Sequence, residues 1–332
     1  MINAVLVLDK PADFTSHDVV NRVRRIIGER SVGHLGTLDP MATGVLPLVI
    51  GRFTRLAQFF NDSSKVYEGE ICFGFATDTY DAEGQPVGPV HSAAPTLAQI
   101  QQHLPALTGH ILQIPPAYSA KKVNGVASYK LARRDEAVEL KAVEVEVRRF
   151  EIQSVIGDRA RFVAEVSAGT YVRSLAHDLG QALGCGAHLT SLRRTRGGEF
   201  TLSQAVTLEG LEAYAAHRTQ HMNNANLSEY ALSDITSPGN TPLETTAGIT
   251  SGASPYLHPR QILTHFPSVT AAPELVTAIR NGRSVNLPEF SDAPLVKVFA
   301  NQQLLLAVMQ RIAGTLFQPK VVLYGSNEPL PL

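Results

Sequence analysis

The stretch from Gly33 to Gly44, Gly-His-Leu-Gly-Thr-Leu-Asp-Pro-Met-Ala-Thr-Gly, limits the fold more than any other part of this chain. Glycine weakens regular elements and proline removes a backbone donor, so the run predicts a loop around which helices and strands must be arranged. Pro40 fixes its own φ and holds Asp39 extended or turn-like. Gly36 and Gly44 permit tight turns and let a ligand approach the main chain. Asp39 is the one acid in the run, and His34 adds a flat, titratable ring. Leu-Asp-Pro alone is an ordinary turn, because aspartate caps nearby N–H groups. A single carboxylate among glycines, a proline and small residues can also be offered to a substrate at close range.

The flanking sequence is patterned. Residues 2–8 form an apolar, β-branched run that predicts a buried strand. Thr15 or Ser16 can cap the helix that follows, with Asp18 near its positive end. Val19, Val20, Val23, Ile26 and Ile27 supply its apolar stripe, and Gly28 stops it. Residues 45–50 are apolar, strands are expected at 66–75, 143–156 and 161–167, and helices at 54–60, 96–104 and 172–183. These elements alternate without a regular βαβ repeat, which favours an α+β fold over a doubly wound sheet. From about His217 to His258 the chain turns polar, rich in Ser, Thr, Asn, Gly and Pro, and reads as a linker or surface insertion. Beyond it, 295–300 and 304–309 predict a hairpin, and 320–324 a further strand.

Composition narrows the function classes. A chain of 332 residues can bury a sizeable core and suggests about two domains. Its net charge of −1 gives no overall basic footprint for nucleic acid. Positive charge is instead local. Between Tyr118 and Arg149, Lys121, Lys122, Lys130, Arg133, Arg134, Lys141, Arg148 and Arg149 outnumber the acids, and Arg193, Arg194 and Arg196 form a second cluster. Charge clusters are commonly solvated faces, but the presence of two of them adds weight to a functional reading. Cys72 and Cys185 have neither metal-ligand spacing nor a disulfide pattern, so no metal site is expected. The N-terminus lacks a signal-peptide pattern, and no apolar stretch reaches the roughly 18 residues that span a bilayer. The expectation is a cytoplasmic protein without a membrane segment.

The run from Gly33 to Gly44 closely resembles the signature loop of the TruB family of tRNA pseudouridine synthases, Leu35 occupying a variable position. Further segments resemble the family in its order across about residues 2–210. They are Leu8-Asp9-Lys10-Pro11 with Thr15-Ser16, Lys65-Val66-Tyr67, and the run from Thr77 to Gly84. Then come the run from Pro115 to Lys122, Gly169-Thr170-Tyr171-Val172-Arg173-Ser174-Leu175, the run from Gly184 to Leu189, and Leu192-Arg193-Arg194.

The resemblance implies an isomerase that turns uridine into pseudouridine at position 55 in the T-arm of tRNA, with no cofactor. Asp39 would be the attacking carboxylate, on either the base or the sugar C1′. Tyr67 would stack on the target base and help move the C5 proton. Arg173 would pair with Asp39, keep it ionised and orient it. Tyr171 would line the base pocket, Leu192 would cover it from the apolar side, and His34 would lie against the extruded nucleotide. Lys10 would either hold the nearby loop or touch a phosphate. Chemistry on a base requires taking it out of its stack, and a closed, dry pocket keeps the freed base in place.

The same resemblance implies a pseudouridine synthase fold, with a mixed, mainly antiparallel central sheet flanked by helices and a small C-terminal PUA-like β module. The expected division is a catalytic domain at 1–216 with an RNA-clasping insertion at about 118–142, a polar linker at 217–258, and the C-terminal module at 259–332. The expected partner is tRNA alone, bound by a monomer that needs no other protein. An RNA-binding or RNA-folding protein with an inert pocket shares the basic segment and the C-terminal module but has no need of Asp39. A glycosidase fits poorly, because the loop supplies one acid where that chemistry uses a pair.

Overall fold

The structure is a computed structural model, and it describes residues 2–60, 64–92, 94–119, 121–123, 126–128, 140–224 and 254–330. Its first strand, Ala4–Lys10, is buried along almost its whole length. The reason is that it has a core on each face. Leu6 and Leu8 point into one apolar cluster, Val5 and Val7 into another. The strand Thr43–Ile50 beside it divides in the same way, with Leu46, Leu48 and Ile50 on one side and Val45 and Val49 on the other. Each such side chain contributes about 1.5–3 kcal/mol on burial, so a strand with two dry faces reads as a continuous apolar run.

These strands belong to a ten-stranded sheet. From one edge its main path runs Tyr256–Leu257, Ala4–Lys10, Thr43–Ile50, Ala187–Gly197, Lys65–Phe73, Arg159–Val166, Val143–Ile156 and Gly109–Gln113. Neighbours pair antiparallel except Thr43–Ile50 with Ala187–Gly197, which is parallel. The sheet is therefore mixed and mainly antiparallel, as expected. One face packs against the helices Ser16–Ile27 and Val172–Ala182, through Val19, Val20, Val23, Leu175 and Leu179. The other face meets a five-stranded sheet built from Ser268–Thr270, Leu295–Phe299, Leu305–Ala313, Leu316–Val322 and Val285–Asn286.

The contact between the two sheets is also polar. The Asn3 amide donates to the Tyr324 hydroxyl at 3.0 Å, and Arg52 donates to the Leu323 carbonyl at 2.9 Å while pairing with Glu328. The Arg52 guanidinium lies 4.9 Å from the centre of the Tyr324 ring.

Several expected boundaries shift. The segment expected as a helix at 54–60 is a 3₁₀ helix at Gly51–Phe59, and the last strand is Leu316–Val322 rather than 320–324. Two pieces of the segment read as a polar linker are ordered parts of the fold. The helix Leu208–Asn224 runs past residue 216, and Tyr256–Leu257 is an edge strand of the ten-stranded sheet, held there by pairing with Leu6 and Val5. Residues 225–253, and residues 129–139 of the basic segment, lie outside the described residues. Among the described residues of that segment, Lys122–Val123 and Val126–Ala127 form a small antiparallel pair.

No helix among the described residues is long and apolar enough to cross a membrane.

Candidate active site

The glycine-rich run starts and ends as strand. Val32–His34 and Thr43–Ile50 pair antiparallel, and the loop proper lies between them. Its tip carries Asp39, and three sets of contacts fix it.

The first comes from the helix that begins at Ser16. Thr15, not Ser16, is the cap: its hydroxyl accepts from the Asp18 N–H at 3.1 Å while the Asp18 carboxylate accepts from the Thr15 N–H at 3.0 Å. Ser16 is thereby free to clamp the loop. Its hydroxyl accepts from the Leu38 N–H at 2.8 Å and donates to the Leu38 carbonyl at 3.2 Å. The second comes from Lys10, whose side chain is wholly buried. Its ammonium donates to the carbonyls of Pro11 at 2.8 Å, Phe14 at 2.6 Å and Pro40 at 3.0 Å. Lys10 therefore holds the loop, and its burial leaves it out of reach of a phosphate. That burial, partly opposed by the nearby Asp39 charge, lowers its pKa to about 8.

The third is Arg194, fully buried at 1% exposure. Its guanidinium donates to the carbonyls of Val45 at 2.7 Å, Gly36 at 3.0 Å and Thr37 at 3.5 Å. The cluster Arg193, Arg194 and Arg196 is thus not a free basic face. Arg194 is internal, Arg193 pairs with Asp9 at 2.7 Å, and Arg196 pairs with Glu165 at 2.7 Å.

Asp39 itself is held from the opposite side. Nη2 of Arg173 donates to Asp39 Oδ1 at 3.0 Å, and Nε stands 2.9 Å from Oδ2. The remaining arm is engaged too: Nη1 donates to Asp81 Oδ2 and to the Thr79 carbonyl, each at 2.9 Å, and Nη2 also reaches the Tyr118 carbonyl at 3.0 Å. Arg173 and Asp81 have only 6% and 2% of their side chains exposed, whereas Asp39 keeps 33%. The carboxylate is therefore the accessible end of a buried Asp-Arg-Asp chain. Arg173 does not by itself hold Asp39 at the usual carboxylate value. Burial raises the Asp39 pKa, the Arg173 charge opposes that rise, and the Asp81 charge adds to it.

The other expected residues take no part in these ion pairs. Tyr67 and Leu192 lie on adjacent strands, Tyr67 opposite Arg194 and Leu192 opposite Gly69, so all three side chains share one sheet face. Both are buried, in the apolar cluster that contains Leu38 and Ala42 on either side of Asp39-Pro40. Tyr171 directly precedes the helix that carries Arg173. Its N–H donates to the Gln113 side-chain oxygen at 2.8 Å, and its carbonyl accepts from the Gln113 amide at 3.1 Å. His34 ends the Val32–His34 strand, opposite Leu48. Burial, with the Arg194 charge nearby, lowers its pKa and keeps the ring neutral.

Asp81 and Gln113 were not singled out from the sequence. Asp81 falls in a family-like segment, but its charge gives no sign of its partner, and Gln113 sits at the end of a strand that the pattern did not reveal.

Comparison with known proteins bears on the family and the fold. Residues 24–172 match the model for the TruB family pseudouridylate synthase N-terminal domain, and residues 173–244 match that for the tRNA pseudouridylate synthase B C-terminal domain. The chain is 45% identical over 325 residues to a tRNA pseudouridine synthase B of Solibacter usitatus, covering 97% of this chain and 100% of that protein. It is 49% identical over 217 residues to the protein of the same name from Arthrobacter sp., covering 64% of this chain and 71% of the other. Among solved structures, the Cbf5 chain of a Cbf5-Nop10-Gar1 complex superposes with a TM-score of 0.66 at 24% identity, covering 98% of this chain and 86% of that one. That likeness supports the fold.

Proposed function

This chain belongs to the TruB family of pseudouridylate synthases and isomerises uridine to pseudouridine in tRNA, and we propose that Asp39 is the carboxylate that attacks an extruded uridine 55 of the T-arm. The observation that carries the assignment is the state of Asp39: one carboxylate, open on one side and gripped by Arg173 on the other, at the tip of a loop clamped by Ser16, Lys10 and Arg194.

The reaction neither gains nor loses atoms. The N1–C1′ bond breaks, the base turns within the pocket, and a C5–C1′ bond forms. The C5 proton leaves and N1 ends protonated. A carboxylate that forms a transient bond, to the base or to C1′, divides this into easier steps. Arg173 aims the carboxylate with one hydrogen bond to Oδ1 and a charge contact from Nε to Oδ2, which together orient it toward the substrate. Tyr67 presents a ring to the base and a hydroxyl for the C5 proton, with Leu192 beside it closing the pocket to water. Tyr171, latched by Gln113, lines the far wall, and the neutral His34 ring packs against the displaced nucleotide.

In the same reading the catalytic part runs from residue 1 through the helix Leu208–Asn224 and includes the strand Tyr256–Leu257. Residues 259–332 form an RNA-contacting module, and the basic segment at 118–142 clasps the tRNA backbone. The enzyme works as a cytoplasmic monomer with tRNA as its only required partner.

The test is pseudouridine formation on an unmodified tRNA transcript by the purified protein. Wild type is expected to modify position 55. Asp39→Asn is expected to fold and to lose at least about a thousandfold in rate. Full activity in that variant would remove the mechanism.

A further inference from the structure

Two acceptors that hold the outer nitrogen of Arg173 flank a single residue in sequence. Nη1 donates to the Thr79 carbonyl and to the Asp81 carboxylate, each at 2.9 Å, and Tyr80 stands between them. Tyr80 has φ +65°, the left-handed region that a ring-bearing residue seldom adopts. That conformation turns the backbone so that the residues before and after it both face the same guanidinium. An arrangement disfavoured by the local chain must be enforced by its surroundings.

The enforcing contact is visible. The Tyr80 ring stacks on His177 with centroids 3.8 Å apart and planes 16° from parallel. His177 lies one helical turn beyond Arg173 in Val172–Ala182, so one rigid helix carries both the guanidinium and the ring that braces its acceptors. The backbone of Tyr80 is tied as well. Its N–H donates to the Thr77 carbonyl at 3.2 Å, and its carbonyl accepts from the Leu189 N–H at 3.0 Å. The buried Nδ1 of His177 has no hydrogen-bond partner among the described residues. Burial lowers the imidazole pKa and raises that of the phenol, which keeps both rings neutral and suited to stacking.

We propose that Tyr80 and His177 are positioning residues: their stack locks the left-handed turn that delivers the Thr79 carbonyl and the Asp81 carboxylate to Arg173, and through Arg173 sets the angle at which Asp39 meets the substrate. This rests on Asp39 and Arg173 being the working pair. Neither ring touches the substrate. Loss of the stack leaves tRNA affinity intact and lowers the rate of the chemical step.

The experiment measures kcat and KM on an unmodified tRNA transcript, at a temperature well below each variant's melting point. His177→Ala is expected to lower kcat about tenfold with KM within about twofold of wild type, the size of effect a small misplacement at a reacting centre produces. His177→Phe keeps a flat ring for the stack while giving up both ring nitrogens, so it is expected to restore kcat to within about twofold. A purely structural role predicts lower melting temperatures for both, with kcat unchanged. An unchanged kcat in His177→Ala, or a phenylalanine variant as slow as the alanine one, overturns the inference. Should His177→Ala fail to fold, Tyr80→Gly removes the ring from the other side without backbone strain: reduced kcat at constant KM supports the stack, and wild-type kcat rejects it. Asp39→Asn, run alongside, separates the two claims. Activity there removes the proposed function, whereas inactivity there combined with wild-type kcat in His177→Ala removes the positioning role alone.

Discussion

Asp39 and Asp81 occupy opposite edges of one guanidinium, Asp81 against Nη1 and Asp39 against Nη2 and Nε of Arg173. Two carboxylates on one cation leave the trio with an excess negative charge. Burial raises the Asp39 pKa, the Arg173 charge opposes that rise, and the Asp81 charge adds to it.

Removal of the inner charge should therefore lower the acid limit of activity. Asp39 must be ionised to attack, and its pKa lies above the usual range, so the wild-type rate falls as pH drops through that raised value. Asp81→Asn removes a charge that pushes Asp39 upward. The acid limb of its pH–rate profile should move to lower pH, even as the maximal rate falls about tenfold because Arg173 loses an anchor. Movement of the limb to higher pH would contradict the charge sharing.

The alkaline limit should follow Lys10. As pH rises through about 8 its ammonium loses its charge, the grip on Pro40 and Phe14 weakens, and activity declines. Lys10→Met should be slower at neutral pH and show no such decline. Unfolding would not be the cause. Between about 8 and the unfolded value of 10.5, the unfolded chain holds more protons than the folded one, so this group adds stability as pH rises. Melting temperatures recorded alongside the rates distinguish the two.

Arg194→Met should uncouple the loop from the sheet. The arginine is buried, and the Gly36, Thr37 and Val45 carbonyls accept from it. Loss of these bonds without replacement is expected to cost about 3 kcal/mol, measured by urea denaturation. A loss under about 1 kcal/mol would mean that the loop holds its shape without this clamp.

Gly44→Ala tests how closely the loop is seated. Gly44 has φ +99°, and an added Cβ would meet the Arg194 carbonyl oxygen at 2.2 Å. Backbone cannot yield as a flexible side chain can, so the variant should lose at least about 3 kcal/mol of stability or fail to accumulate as soluble protein. Normal stability would show that the strand carrying Arg194 can shift.

Much of the frame was legible in the sequence because each clue was local. The Thr15–Asp18 cap and the Gly28 stop bracket a helix whose apolar stripe appears in its spacing. The apolar runs of Ala4–Lys10 and Thr43–Ile50 announce burial. The strand Ala187–Gly197 was not legible as a strand, because three arginines interrupt its apolar pattern. Those arginines illustrate the limit well. Arg193, Arg194 and Arg196 look like one solvated cluster in the sequence, yet each is committed to a different partner brought from far along the chain: Asp9, the Gly36 carbonyl and Glu165.

By itself the sequence determined the loop, the identity of its acid, the family-like order of its motifs and most of the helices and strands, since these depend on neighbours a few residues apart. Only the tertiary structure decided that Lys10 faces inward, that Arg194 holds the loop, and that Asp81 shares Arg173 with Asp39. Charge and burial depend on what the fold packs around a side chain, and such neighbours come from distant segments that no local pattern encodes.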